Sequence, residues 1–123
     1  MKRVITDKAP AAVGPYSQAT ISGNLVFVSG QLGISDKGII EGDIVYQTTN
    51  AIKNLSEILS ASGSDFSHVV KTTCFLSDIG DFARFNEVYS RYFTEKPARS
   101  LVESSSLPKG SLIEIDAIAE IEK

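Results

Sequence analysis

Little in this sequence suits metal or thiol chemistry: it has one cysteine (Cys74), one histidine (His68), one methionine and no tryptophan. A lone cysteine excludes an internal disulfide and fits a reducing compartment. One His, one Cys and one Met leave no soft or imidazole-rich ligand set within a subunit, so no metal site is expected. The 12 Lys and Arg residues are scattered, with no run longer than Lys2-Arg3, and the formal net charge is -3. That balance argues against a nucleic-acid surface, which carries a basic excess or stripe. No apolar run approaches the length of a membrane span. The start, Met1-Lys2-Arg3-Val4-Ile5-Thr6-Asp7, has no apolar stretch behind its basic pair, so no secretory signal is expected and the expected location is cytoplasmic.

What is present is ordinary for a folded chain. Hydrophobic residues make up 42% and charged residues 22%, a composition that argues against disorder. A length of 123 residues suffices for one core but not two, so a single domain is expected over 1–123.

The order of elements follows from periodicity. Residues 3–6 suit a short strand, after which Asp7-Lys8-Ala9-Pro10 and Gly14-Pro15 form an irregular lead-in to Tyr16. Segments 17–22 and 25–29 are strand-like, and Gly23-Asn24 between them is a two-residue hairpin signal. Leu25-Val26-Phe27-Val28 is apolar on both faces, which implies a helix layer on one side and a partner on the other. Ser29-Gly30-Gln31 is expected to close that strand, where Gly30 either turns the chain or lets backbone approach a ligand. Residues 34–41, with Asp36-Lys37-Gly38, read as a loop with a small hairpin.

From Asp43 to Ser62 the apolar residues recur at three- and four-residue steps, so an amphipathic helix is expected, capped by Asp43 and ended by Gly63. Gln47, Asn50, Lys53, Asn54 and Glu57 are assigned to its solvated face. Residues 66–76 are rich in β-branched side chains and read as a strand, with Cys74 a small core or interface residue. His68 has no Ser, Cys or Asp companion at a recognisable spacing and reads as a plain surface residue. A second helix from about Asp81 to Phe93 presents Phe82, Phe85, Tyr89, Tyr92 and Phe93 as its apolar face, with Asn86 at the edge of that stripe. The whole is an α+β sandwich, with two helices packed on one face of a mixed six-stranded sheet and the other face a candidate oligomer interface.

The stretch from Pro97 to Asp116 concentrates the chemistry. Alternation puts Arg99, Leu101 and Glu103 on one strand face; in the next strand Ile113, Ile115, Ala117 and Ala119 are apolar, opposite Glu114 and Asp116. Leu107-Pro108-Lys109-Gly110 reads as the turn between them. Were the two strands paired, the arginine and the two carboxylates would share a face. A permanently charged planar fork is a natural receptor for a substrate carboxylate, and a carboxylate beside it can hold a water or move a proton. The same residues also fit an arginine that merely balances Glu103 or Glu114 on a solvated face or at a subunit contact.

Pro97-Ala98-Arg99-Ser100, Leu107-Pro108-Lys109-Gly110 and Ile113-Glu114-Ile115-Asp116-Ala117-Ile118-Ala119 together resemble the carboxy-terminal signature of the RidA family, also called YjgF or UK114. Ala9-Pro10-Ala11-Ala12-Val13-Gly14-Pro15-Tyr16-Ser17-Gln18-Ala19, Ser29-Gly30-Gln31, Val70-Lys71-Thr72-Thr73 and Asp81-Phe82-Ala83 with Asn86 agree with it in the same order. The resemblance implies a chorismate-mutase-like fold and a homotrimer whose three sheets close into a central barrel, with pockets in the clefts between subunits. It implies hydrolysis of the reactive enamine and imine products of pyridoxal-phosphate enzymes, such as 2-iminobutanoate and 2-iminopropanoate, to 2-oxo acids and ammonia, without a cofactor. By motif match Arg99 would clamp the substrate carboxylate and Glu114 would position and activate water. Tyr16, Ser29, Gly30 and Asn86 would line the pocket, and main-chain groups near Leu101 would contact the imine end. The chain departs from the pattern in its short Thr94-Glu95-Lys96 connector and in Leu101, where relatives often carry a smaller residue. Two other readings are a non-catalytic trimer binding small carboxylates or acting as a chaperone, and an endoribonuclease or translation inhibitor; the acidic balance disfavours the last.

Overall fold

The computed structural model describes residues 1–121, so the last two residues of the domain expected over 1–123 lie outside the described residues. Six strands and two helices follow in the order β1 (Lys2–Val4), β2 (Ala19–Ser22), β3 (Leu25–Leu32), α1 (Ile44–Ala61), β4 (Val69–Leu76), α2 (Phe82–Tyr92), β5 (Ala98–Glu103) and β6 (Ile113–Glu120). They form one mixed sheet in the spatial order β1-β2-β3-β6-β4-β5.

Pairing explains where the helices lie. β3 and β4 each run antiparallel to β6, and β5 runs parallel to β4. Parallel strands cannot be joined by a tight turn and need a crossover. The two helices supply those crossovers, α1 between β3 and β4 and α2 between β4 and β5. Both pack on the same sheet face and against each other.

The core is the layer between them. α1 buries Ile44, Ala51, Ile52, Leu55, Ile58 and Leu59 against Val26 and Val28 of β3, Cys74 and Leu76 of β4 and the alternating Ile113, Ile115, Ala117 and Ala119 of β6. Asp43 caps α1 by accepting a hydrogen bond from the Tyr46 amide, and Gly63 follows its end with φ of 83°. Cys74 belongs to this core, and burial pushes its thiol up to about 12.

Several local expectations change on folding. β5 and β6 are not a hairpin, because β4 lies between them. Ser29 and Gly30 do not end β3; they form a bulge within it, two residues opposite the single Asp116 between the Val28–Ala117 and Gln31–Ile115 pairs. Gln47 and Asn54, assigned to the solvated side of α1, are buried. Gln47 donates to the Gly42 carbonyl and accepts from the Leu112 amide, while Asn54 donates to the carbonyls of Leu32 and Ile34. Amides that fasten loops to a helix carry no hydrophobic signature. Phe93 is buried but lies just beyond α2, as its cap, and Phe82 and Tyr92 are exposed at the ends of the stripe. His68 does have an acidic companion: its Nδ1 lies 2.7 Å from Asp65 in a short 3-10 turn.

The sheet face opposite the helices carries Phe27, Thr73, Phe75, Val102, Glu114, Asp116 and Ile118. Phe27 and Val102 are 40% and 48% exposed there, so the strand that reads as apolar on both faces is covered on only one. No helix among the described residues is long and apolar enough to cross a membrane.

Candidate functional site

Two groups of side chains are set up for chemistry, one on each face of the sheet. The first is built around Arg99. Thr72 pairs with both Arg99 and Ala117, so the Arg99 side chain rises from the face that carries the apolar core, beneath α2. One stripe of that helix, Phe82, Asn86 and Tyr89 at i, i+4 and i+7, receives it. Nη1 of Arg99 donates to Oδ1 of Asn86 at 2.7 Å, and the guanidinium carbon lies 4.7 Å from the Tyr89 ring centre and 5.8 Å from that of Phe82. The Tyr89 hydroxyl is in turn hydrogen-bonded to the Thr72 hydroxyl at 2.8 Å. The three-residue connector 94–96 brings the chain from α2 into β5 through a tight turn in which Lys96 has φ of 53°.

Arg99 has no carboxylate within ion-pair distance among the described residues. Glu103 instead accepts from the Ile79 amide at 2.8 Å. A half-buried guanidinium with only Nη1 hydrogen-bonded keeps most of its five donors for a ligand.

The second group surrounds Glu114 on the open face. A groove of about 640 Å³ is lined by Tyr16, Ser29, Gly30, Lys109 and Glu114, with the 10–13 segment as its wall. The β3 bulge shapes it. The Ser29 hydroxyl donates to the Ser17 carbonyl at 2.6 Å and the Ser29 amide to the Gln18 carbonyl at 2.9 Å, so Ser29 ties the lead-in to the sheet. Gly30 lies directly against the Glu114 carboxylate. Tyr16 is 54% exposed, its hydroxyl accepting from the Val13 amide at 3.4 Å. Burial, followed by the neighbouring Asp116, raises the Glu114 carboxyl above its ordinary value. Asp116 is itself raised by burial, partly offset by hydrogen bonds to Thr73 and by Lys71. A carboxyl displaced toward neutrality in an open groove is suited to holding a water and exchanging a proton with it. No group of three or more His, Cys, Asp or Glu among the described residues could hold a metal.

The arrangement differs from the expected one in one decisive respect. Arg99 and Glu114 do not share a sheet face: Phe75 pairs with Glu114 on the open side, whereas Arg99 pairs with Thr72 on the helix side. Asn86 joins the Arg99 group, while Tyr16, Ser29 and Gly30 join Glu114. The Leu101 side chain packs against the core, leaving its backbone on edge strand β5.

Sequence reasoning passed over three residues. Tyr89 and Thr72 support Arg99 but look like an aromatic stripe and a β-branched strand; the 82, 86, 89 spacing is a signal that marks Tyr89, while no local signal marks Thr72. Gln18, buried, holds the lead-in by accepting from the Thr6 amide and donating to the carbonyls of Thr6 and Pro10.

Fold and site together define a two-layer α+β protein with a ring-backed arginine, lacking an ion-pair partner among the described residues, on one face and a carboxylate groove on the other. The family model described as Endoribonuclease L-PSP matches residues 6–121, and the chain belongs to this family, RidA/YjgF. It is 47% identical to the human 2-iminobutanoate/2-iminopropanoate deaminase, over 97% of this chain and 90% of that one. The crystal structure of the yjgF gene product of Escherichia coli has a TM-score of 0.94 at 41% identity, covering 99% of this chain and 100% of that one. Escherichia coli TdcF, crystallised with bound serine, has a TM-score of 0.93 at 38% identity, covering 99% and 100%.

Proposed function

We propose that this protein is a 2-iminobutanoate/2-iminopropanoate deaminase that works as a homotrimer in the cytoplasm, with each site formed in a cleft between two subunits. The observation that carries the reading is the half-buried Arg99 fork, which has no counterion among the described residues and is held ready for a carboxylate. The deaminase name of the human relative and the serine bound to TdcF support a small amino- or imino-acid ligand. Because Arg99 and Glu114 lie on opposite faces, a cleft that uses both draws one from each of two copies. The exposed Phe27 and Val102 on the open face support its burial by such a copy.

The chemistry suits these groups. Arg99 holds the carboxylate of a 2-imino acid, a charge-assisted contact worth roughly 1.5–3 kcal/mol. Backbone near Leu101 aligns the imine end. With the imine nitrogen protonated, Glu114 orients a water and takes one of its protons as the water oxygen bonds to C2 and the C=N pair moves onto nitrogen, forming a neutral tetrahedral carbinolamine. Glu114 returns that proton to the amine nitrogen; the C2–N bond then breaks with its electron pair leaving on ammonia, while the hydroxyl oxygen forms the C=O bond and gives its proton to Glu114, releasing ammonia and the 2-oxo acid. Every step is proton transfer and positioning, so no redox partner is needed. The net charge of -3 disfavours the RNA cleavage that the family model's description names.

The test couples purified threonine dehydratase to this protein and follows 2-oxobutanoate formation. The wild type is expected to accelerate it and Arg99→Ala to lose most of that acceleration while remaining folded. No acceleration by the wild type, or near-wild-type turnover by Arg99→Ala, would overturn the reading.

A further inference from the structure

The guanidinium of Arg99 is backed by more than its hydrogen bond to Asn86. We propose that Tyr89, anchored through its hydroxyl to Thr72, is a positioning residue that fixes the plane of the Arg99 guanidinium; the inference rests on the reading of Arg99 as the carboxylate clamp.

Arginine is long, and its rotamer freedom is a cost whenever it must present a fork in one orientation. The single bond to Asn86 at 2.7 Å fixes one nitrogen but leaves the plane free to swing about it. A ring face 4.7 Å from the guanidinium carbon removes that freedom, since the cation is drawn onto the negative face of the ring and the plane settles against it. The ring must then be immobile itself, and Tyr89 is held on several sides. It stacks on Phe93 with centroids 4.3 Å apart and planes 21° apart, and it packs 5.7 Å from Phe85. Its hydroxyl end is bonded at 2.8 Å to Thr72, a fully buried residue on β4. Thr72 is also the direct strand partner of Arg99, so the backbone that launches the arginine and the ring that stops it share one anchor. Tyr89 is buried and does not reach the open groove, which makes its effect on a ligand indirect. A rotated fork meets a carboxylate with one donor instead of two, so the loss falls on ligand affinity more than on the chemical step.

The experiment compares wild type, Thr72→Val, Tyr89→Phe, Tyr89→Leu and Arg99→Lys. Three readouts are taken: the dissociation constant for 2-oxobutanoate, KM and kcat in the coupled assay, and the Arg99 Nε–H signal in 15N-resolved spectra, assigned by its loss in Arg99→Lys. Tyr89→Leu is expected to weaken 2-oxobutanoate binding and raise KM about tenfold, with kcat within about twofold, and to move the Arg99 signal off its ring-shifted position. Tyr89→Phe keeps the ring but loses its anchor, and is expected to fall between wild type and Tyr89→Leu, with KM raised about threefold and the Arg99 signal partly moved. Thr72→Val matches Tyr89→Phe, and combining the two adds little because they break the same bond. A folded Tyr89→Leu protein with wild-type affinity and an unmoved Arg99 signal would overturn the inference. If the leucine variant does not fold, Thr72→Val and Tyr89→Phe decide instead: wild-type KM and an unmoved signal in both would overturn it. Wild-type binding by Arg99→Lys is a different result. It would remove the carboxylate-clamp reading, and the Arg99 signal in the Tyr89 variants would then decide the positioning role alone.

Discussion

A β-carbon at Gly30 would overlap the Glu114 carboxylate. The bulge at Ser29-Gly30 brings β3 backbone directly against the Glu114 side chain on the neighbouring strand, and only a hydrogen fits between them. Gly30→Ala has no forbidden backbone angle to adopt, so the conflict is resolved by moving the carboxylate. We expect kcat to fall by about 100-fold, the scale of a misplaced proton-transfer group, with the melting temperature lowered by only a few degrees, as for about 1 kcal/mol. Full activity in Gly30→Ala, measured in the dehydratase-coupled assay, would show that Glu114 is not the water-holding group.

The opposite-face placement of Arg99 and Glu114 predicts complementation. Arg99→Ala and Glu114→Gln should each be inactive alone. Co-refolded in equal amounts, they should recover about a quarter of wild-type activity, because random pairing gives that fraction of clefts both native groups. A mixture as inactive as its parents would place both residues in one subunit's site or outside the site.

The raised Glu114 carboxyl sets the direction of the pH response. The proposed mechanism needs Glu114 ionised, so activity should fall as pH drops through its raised pKa. Asp116→Asn removes the negative neighbour, favours ionisation and should move the acid limb of the rate profile to lower pH; a shift upward or none would contradict this. Stability responds with its own sign. A carboxyl whose folded pKa is raised binds its proton more tightly in the native state, so it destabilises the fold once ionised. That penalty is absent below the unfolded carboxyl range and grows as pH rises through the folded value. Glu114→Gln should therefore be more stable than wild type near about pH 7, with the difference gone near about pH 3. Denaturant melts at the two pH values check it.

Gln18 is the pin of the lead-in. Its amide bonds backbone of Thr6 and Pro10 from a buried position. Gln18→Leu leaves those groups unpaired, at about 1–3 kcal/mol for each one kept from water. We expect a loss of roughly 2–4 kcal/mol in denaturant melts together with new protease cleavage between residues 6 and 13. Unchanged proteolysis would show that the segment is held by other contacts.

Much of this protein was legible in its sequence, because much of it is local. The α1 periodicity, its Asp43 cap, the Gly23-Asn24 hairpin and the apolar alternation of 113–119 each depend on neighbours within a few residues. The ordered motif blocks likewise named Arg99, Glu114, Tyr16 and Asn86 as candidates. Tertiary structure alone decided how those candidates are grouped. Alternation says which residues of one strand share a side, but not which side that is relative to another strand. In β5 the pattern carries no hydrophobic signal to break the tie: Arg99 and Glu103 stand with Leu101 on the core side, while Val102 faces out. Insertion of β4 between β5 and β6 and the bulge in β3 then set the register. The buried amides of Gln18, Gln47 and Asn54 were invisible for the same reason, since a polar side chain is buried for the backbone groups that folding brings to it, and those lie far away in the chain.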